Sequence, residues 1–194
     1  MVELIRGDAL DLISQLGEQP DLICTDPPYA FGNSGVDEHE LSATVAVVLR
    51  EAAARLKKGR WMLVMCAASW RSTTYMAEAV RGVVQPVRIA TWCKPQARTK
   101  VATEGWKWAS VNVIAFRKGK AEDLETSLLL DHILAPPIMN GRRAELPPEV
   151  ANWMVAPYAV PGGLFLDPFA GSGALVKAAS ELGMRTIGYE KQAS

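Results

Sequence analysis

The chain has no net charge: 21 Lys and Arg are matched by 21 Asp and Glu over 194 residues. A polycation that coats any polyanion is excluded, so a nucleic-acid contact has to come from a local patch. Cysteine is scarce. Cys24, Cys66 and Cys93 stand apart with no paired spacing, which excludes a disulfide framework and a thiolate metal finger. Reduced core thiols suit a cytoplasmic protein, and that is the expected location. Histidine is scarcer still: His39 and His132 are isolated, so neither makes a case for catalysis, and no metal site is expected. No apolar run reaches the ~20 residues of a membrane span, and Met1 to Arg6 lacks a signal-peptide pattern. No membrane partner is expected. With 49% hydrophobic residues, the composition is globular, and the length suits one domain over residues 1–194.

What is present concentrates first in Leu22-Ile23-Cys24-Thr25-Asp26-Pro27-Pro28-Tyr29. The apolar run is short, which favours a buried strand over a helix. The prolines then fix the backbone and push the residue ahead of them out of helical angles. Asp26 and Tyr29 are thereby expected on a stiff corner at the carboxyl end of a strand, the edge where open α/β sheets bind ligands. A carboxylate and the Pro27 and Pro28 carbonyls accept hydrogen bonds, and a tyrosine ring stacks on flat ligands. Together they form a clamp for a planar ring with an exocyclic amino group, such as adenine or cytosine. The plain alternative is a strand-ending turn, since Asp and Pro are ordinary turn residues.

Around this corner, short apolar runs alternate with helical spacing. Strands are expected at Val2 to Ile5, Trp61 to Ala67, Val87 to Cys93, Ser110 to Phe116, Gly163 to Leu166 and Arg185 to Gly188. Helices are expected over Ala9 to Leu16, Asp37 to Leu56, from a Ser69 cap to Arg81, from Pro147 and Pro148 to about Tyr158, and from Leu175 to Leu182. Trp70 is assigned to the core. The loop Ala30 to Val36 is rich in Gly and Asn and is placed to close over a bound base. Residues 119–143 show little pattern and read as an inserted segment without much regular structure. The alternation predicts an α/β, doubly wound and mostly parallel sheet.

Near the other end, Asp167-Pro168-Phe169-Ala170-Gly171-Ser172-Gly173 lies between a strand and a helix. Glycines let a ligand approach the backbone, and a helix start offers free N–H groups. Glu190 ends the next strand, where an acid typically takes the hydroxyls of a ribose. A nucleoside-containing cofactor is expected. Val176 stands where a dinucleotide fingerprint wants its third glycine, which weighs against NAD and against an NAD-linked oxidoreductase.

The two motifs in this order resemble the S-adenosylmethionine-dependent DNA amino-methyltransferases, in the circularly permuted beta-class arrangement. Gly7-Asp8, Trp92-Cys93-Lys94-Pro95, Arg143-Ala144-Glu145-Leu146-Pro147 and Gly188-Tyr189-Glu190 are similar to lesser motifs of that family. The resemblance covers nearly the whole chain. It implies a permuted, Rossmann-like seven-stranded methyltransferase sheet with a short target-recognition segment at 119–143. There are departures. Leu146 replaces a lysine, Arg142 or Arg143 replaces a histidine, Ala174 replaces a threonine, and only four residues follow the last strand. Tail binding and DNA affinity are the functions these put in question, and a second copy or another subunit would supply what is missing.

The implied activity is methylation of adenine N6 in double-stranded DNA, with S-adenosyl-L-methionine as cofactor. Asp26, Pro27, Pro28 and Tyr29 would hold a flipped base. Asp8, Asp167, Phe169, Gly171, Gly173 and Glu190 would hold the cofactor. Arg98, Lys100, Lys107, Lys118, Lys120, Arg142 and Arg143 would contact DNA. Asp at the head of the first motif favours adenine, since the family's cytosine enzymes more often carry Ser there; cytosine N4 is the alternative, because both amines fit the clamp. A catalytically silent nucleic-acid-binding subunit is the reading from another class; intact Asp26, Tyr29 and Glu190 argue against it.

Overall fold

The computed structural model describes residues 2–28, 38–95, 109–120, 124, 130–138 and 145–190. Strands and helices alternate as β1 (Val2–Arg6), α1 (Ala9–Ser14), β2 (Leu22–Thr25), α2 (Glu38–Arg55), β3 (Trp61–Ala67), α3 (Trp70–Ala79), β4 (Gln85–Cys93), β5 (Ser110–Arg117), β6 (His132–Leu134), α4 (Pro148–Val155), β7 (Leu164–Asp167), α5 (Ala174–Glu181) and β8 (Arg185–Glu190). A 3-10 turn, Ala156–Tyr158, extends α4.

The strands form one sheet in the order β1-β8-β7-β2-β3-β5-β4-β6. Every pairing is parallel except the two made by β5, which runs against β3 and β4. The central β2 has all four side chains buried. Complete burial of a Leu or Ile is worth about 1.5–3 kcal/mol, which is why this run carries no polar alternation. Two apolar layers cover the sheet. One joins α4 and α5 to Leu22, Cys24, Met65, Trp92 and Phe165. The other joins α1, α2 and α3 to Ile23, Met62, Val64, Ile114 and Phe116. Burial on alternate faces follows from the two-residue strand period.

Local chemistry sets the helix starts. Asp8 caps α1 by accepting from Leu10 N at 2.9 Å, and Ser69 caps α3 by accepting from Ser72 N at 3.1 Å. Pro148 opens α4, where a missing N–H costs nothing.

Three expectations need correction. The sheet has eight strands rather than seven. The additional strand, β6, lies within residues 119–143, the segment expected to have little regular structure. It pairs Thr91, Trp92 and Cys93 with His132, Ile133 and Leu134. Trp70 is 84% exposed rather than in the core, because it opens α3 just beyond the end of β3 and α3 packs through Met76 instead.

Candidate active site

Four neighbouring parallel strands, β1, β8, β7 and β2, end on the same edge, and each brings an acid there. Asp8 follows β1, Glu190 ends β8, Asp167 ends β7 and Asp26 follows β2. Asp26 and Asp167 line one cleft of about 130 Å³ with Leu146, Phe169, Gly171, Ser172 and Leu175. Thus the two motifs, far apart in sequence, share a cavity. The Pro27 and Pro28 rings follow, one buried and one exposed.

The glycine loop is held open from beneath. Gly171 and Gly173 have φ of +51° and +82°, a region that favours glycine. No atom lies within 4 Å of the place a Gly171 Cβ would take, so the backbone there faces open space. Gly188 supports the loop. A Cβ on it would meet Ala170, Leu4 and Val176 at 2.8 Å. Glu190 is tied to the same loop, accepting from Gly171 N at 2.7 Å, and its carbonyl accepts from Gly7 N at 3.1 Å. The loop, the acid and the Asp8 turn therefore move as a unit.

Charge is unevenly settled. Asp167 is 1% exposed, and burial above all lifts its carboxyl to about 7. The Thr25 hydroxyl and the Phe169 N–H, which donates to Asp167 Oδ1 at 3.1 Å, pull it down, while Asp26 and Glu190 push it up. A buried acid beside two others suits a cationic ligand. The row of carboxylates can take hydroxyl, ammonium and sulfonium groups. No group of His, Cys, Asp and Glu able to hold a metal occurs among the described residues.

Not every expected site residue comes to this edge. Lys118 sits at the opposite one. Its ammonium donates to the carbonyls of Ala53, Ala54 and Leu56 at 3.1, 2.6 and 2.7 Å, closing the negative end of α2. It follows β5, whose Arg117 pairs with Trp61 at the start of β3. Lys118 thus has a structural role at the edge opposite the cleft, and Lys120 belongs to the same turn region. Tyr29, Arg98, Lys100, Lys107, Arg142 and Arg143 lie outside the described residues, as do the loop 30–36, Trp106 and Trp108. Sequence reasoning missed Ser172 and Leu175 as lining residues, although Ser172 lies within the second motif and Leu175 two residues past it. A larger hollow of about 320 Å³ lies between β4, β5 and α4. It is apolar apart from Arg88, Asp131 and the Tyr158 hydroxyl, and holds no glycine loop.

Residues 99–194 match the family described as DNA methylase, for N6 and N4 methyltransferases. That stretch is just under half of the chain. Against M1.HpyAVI in a SAM complex the chain superposes with a TM-score of 0.78 at 21% identity, covering 99% of this chain and 94% of that one. Against the cytosine-N4-specific PvuII DNA methyltransferase the TM-score is also 0.78, at 16% identity, covering 97% and 81%. A curated relative, the Type II methyltransferase M.MjaI of Methanocaldococcus jannaschii, is 41% identical over 54 residues, which are 28% of this chain and 18% of the relative. The match thus spans about a fifth of that relative's length. The structural likenesses show that the chain shares the fold of these methyltransferases. No helix among its described residues is long and apolar enough to cross a membrane.

Proposed function

We propose that the chain transfers a methyl group from S-adenosyl-L-methionine to the exocyclic amino group of a base in double-stranded DNA, with adenine N6 as the target. The observation that carries this reading is that Asp26 and Asp167 line one cleft with the glycine loop. Around it, Gly171 leaves space at the backbone and Glu190 is presented beside it. The residues fit the cofactor. Glu190 would take the ribose, Asp8 would lie near the adenine, and Gly171, Gly173 and Phe169 would border it, with Asp167 toward its positive charge. The cofactor supplies an activated methyl on a sulfonium.

The chain's own residues would do the rest. Tyr29 stacks on a flipped base. An aromatic amine is a poor nucleophile because its lone pair spreads into the ring. Asp26 and the Pro27 carbonyl, held by the proline corner, accept from its N–H groups and favour a tetrahedral nitrogen whose lone pair points at the methyl. Attack in line forms the N–C bond as the C–S bond breaks, and the surplus proton leaves the nitrogen towards Asp26. Such catalysis is chiefly positioning and preorganised electrostatics. DNA contacts would fall to Arg98, Lys100, Lys107, Arg142 and Arg143, and a second copy or another subunit would add to them.

Cytosine N4 is the second reading, favoured by the equal TM-score with the PvuII enzyme. The deciding experiment is transfer of labelled methyl from S-adenosylmethionine to unmethylated mixed-sequence DNA, followed by nucleoside analysis. N6-methyladenine is expected. N4-methylcytosine would move the target, and unlabelled DNA with cofactor still bound would refute the activity.

A further inference from the structure

We propose that the amino edge of the sheet is a second, sequence-independent contact for double-stranded DNA: the paired turns 57–60 and 117–120 take the phosphates of a duplex segment other than the one at the cleft. The choice of DNA as the polyanion rests on the amino-methylation reading.

The surface is built from one pattern used twice. Lys57-Lys58-Gly59-Arg60 leads from α2 into β3, and Arg117-Lys118-Gly119-Lys120 leads out of β5. Both run cation, cation, glycine, cation, with no acid. Gly59 and Gly119 take φ of +79° and +71°, which lets each turn close tightly. The turns are tied to each other. Gly59 N donates to Lys118 O at 2.8 Å, and Lys118 N donates to Arg60 O at 3.0 Å. A Cβ on Gly59 would stand 3.4 Å from the Lys120 carbonyl. Trp61 beside Arg117 continues the pairing into the sheet. The backbone thus sets six positive charges side by side, in a chain whose net charge is zero.

The fold does not use this charge up. Lys57 and Arg60 share one carboxylate, Asp21, at 2.7 and 3.5 Å. Glu18 lies 4.0 Å from Lys57 but is gripped by Arg185 at 2.7 Å. Lys118 is committed to the α2 carbonyls. Lys58 and Lys120 stay exposed. Arg117 Nε is buried with no hydrogen-bond partner among the described residues, a donor left for an incoming acceptor to satisfy. Burial above all, and then Lys58, depresses the proton affinity of Lys118, so like charges crowd here. A polyanion relieves the crowding and releases its own counterions. Lysines on flexible stems suit phosphates, which carry position rather than sequence. Trp61 at this edge packs on Tyr158, ring centres 5.2 Å apart, whereas single-strand sites present rings for bases to stack on.

One duplex cannot serve both edges. β3 runs from this edge to the cleft edge in seven residues, a span of about 20 Å. DNA keeps its direction over ~150 bp, so a duplex on the catalytic edge does not fold round onto the other. The chain therefore holds two segments at once.

The test uses the full chain held on a bead-bound short duplex, with a second, labelled duplex of unrelated sequence added in solution. Wild type is expected to capture the second duplex. In the double variant Lys58→Gln with Lys120→Gln, capture should fall about tenfold, and the slope of log affinity against log salt should flatten by about 2, at ~0.9 per phosphate contact. Arg88→Gln removes an exposed cation from β4 and should leave capture as it was. An equal loss there would reduce the effect to net charge and overturn the proposal. A wild type that captures nothing would overturn it too, as would capture that survives in the double variant. Polyglutamate that displaces the labelled duplex as well as unlabelled DNA does would make the partner an acidic protein and refute the assignment to DNA. Labelled methyl transfer to a single short duplex is read alongside, and Lys58→Gln is expected to leave it unchanged. Bridging without methyl transfer would count against the methylation reading alone. Transfer without bridging would overturn this surface alone.

Discussion

The two edges of the sheet are built on opposite rules. At the amino edge, charges are spent on the fold. Lys118 closes the α2 carbonyls. Asp21, 5% exposed, accepts from Lys57 Nζ at 2.7 Å and from Leu164 N at 3.0 Å, with Arg60 at 3.5 Å. Arg185 grips Glu18 through two bonds of 2.8 and 2.7 Å. At the carboxyl edge, Asp8, Glu190, Asp167 and Asp26 stand on neighbouring strands, and Asp167, the buried one of the four, is lifted to about 7. A buried acid beside others costs stability. A fold tolerates that where a ligand makes up the balance.

Substitution can break this contrast. The largest effect should come from Asp26→Ala, which is expected to slow methyl transfer by about 10²–10³-fold, the scale of a lost electrostatic group. Calorimetric cofactor affinity should hardly change. If single-turnover transfer survives, the clamp is misassigned. At the other edge, Asp21→Ala leaves Lys57 without its buried partner. A loss of about 3 kcal/mol is expected in urea unfolding, with transfer per folded molecule unchanged. Wild-type stability carries the matching pH signature. Burial raises the Asp21 carboxyl, but Lys57, the Leu164 N–H and Arg60 outweigh it, and the net shift is downward. That contribution is present at neutral pH and is lost as pH falls through the lowered value.

Asp167 should behave with the opposite sign. Its proton affinity is raised, so the empty protein loses stability as pH climbs from the ordinary carboxylate range through about 7. A cationic cofactor prefers the ionised form. Titration calorimetry at pH 6 and pH 8 should show S-adenosylmethionine binding roughly tenfold tighter at the higher pH, one decade per unit of mismatch. The profile should flatten in Asp167→Asn, and an equally steep profile there would place the titration elsewhere. The smallest effect is expected from Lys118→Met. About 1–2 kcal/mol should be lost as helix carbonyls lose their donor, while the salt dependence of DNA binding stays as it was. A reduced salt slope would return Lys118 to the DNA face.

The contrast also explains what the sequence could tell. The proline corner and the glycine loop were legible because their chemistry is local: proline fixes its own φ, and glycine alone takes φ of +82° at Gly173 without strain. Strand alternation exposed the doubly wound pattern for the same reason. What the sequence could not tell was mostly non-local. β6 has three residues, too few for a period, and exists through its register with Thr91, Trp92 and Cys93. Lys118 looked like any surface cation until β5 and β3 brought it under α2. Trp70 was placed inside because large rings usually are, yet its position at the first turn of α3 turns it outward.

One pairing has a consequence for how the molecule assembles. Among the described residues β1 pairs with β8 alone, with Val2 beside Thr186 and Arg6 beside Glu190. The first and last strands of the sheet thus meet across most of the chain. Closing so long a loop costs entropy before any contact repays it. Asp8 and Glu190 sit on the two sides of that seam. During synthesis, β1 waits without a neighbour while every other strand is made. The end of the cleft assigned to the ribose and adenine is then the last part of the site that can form.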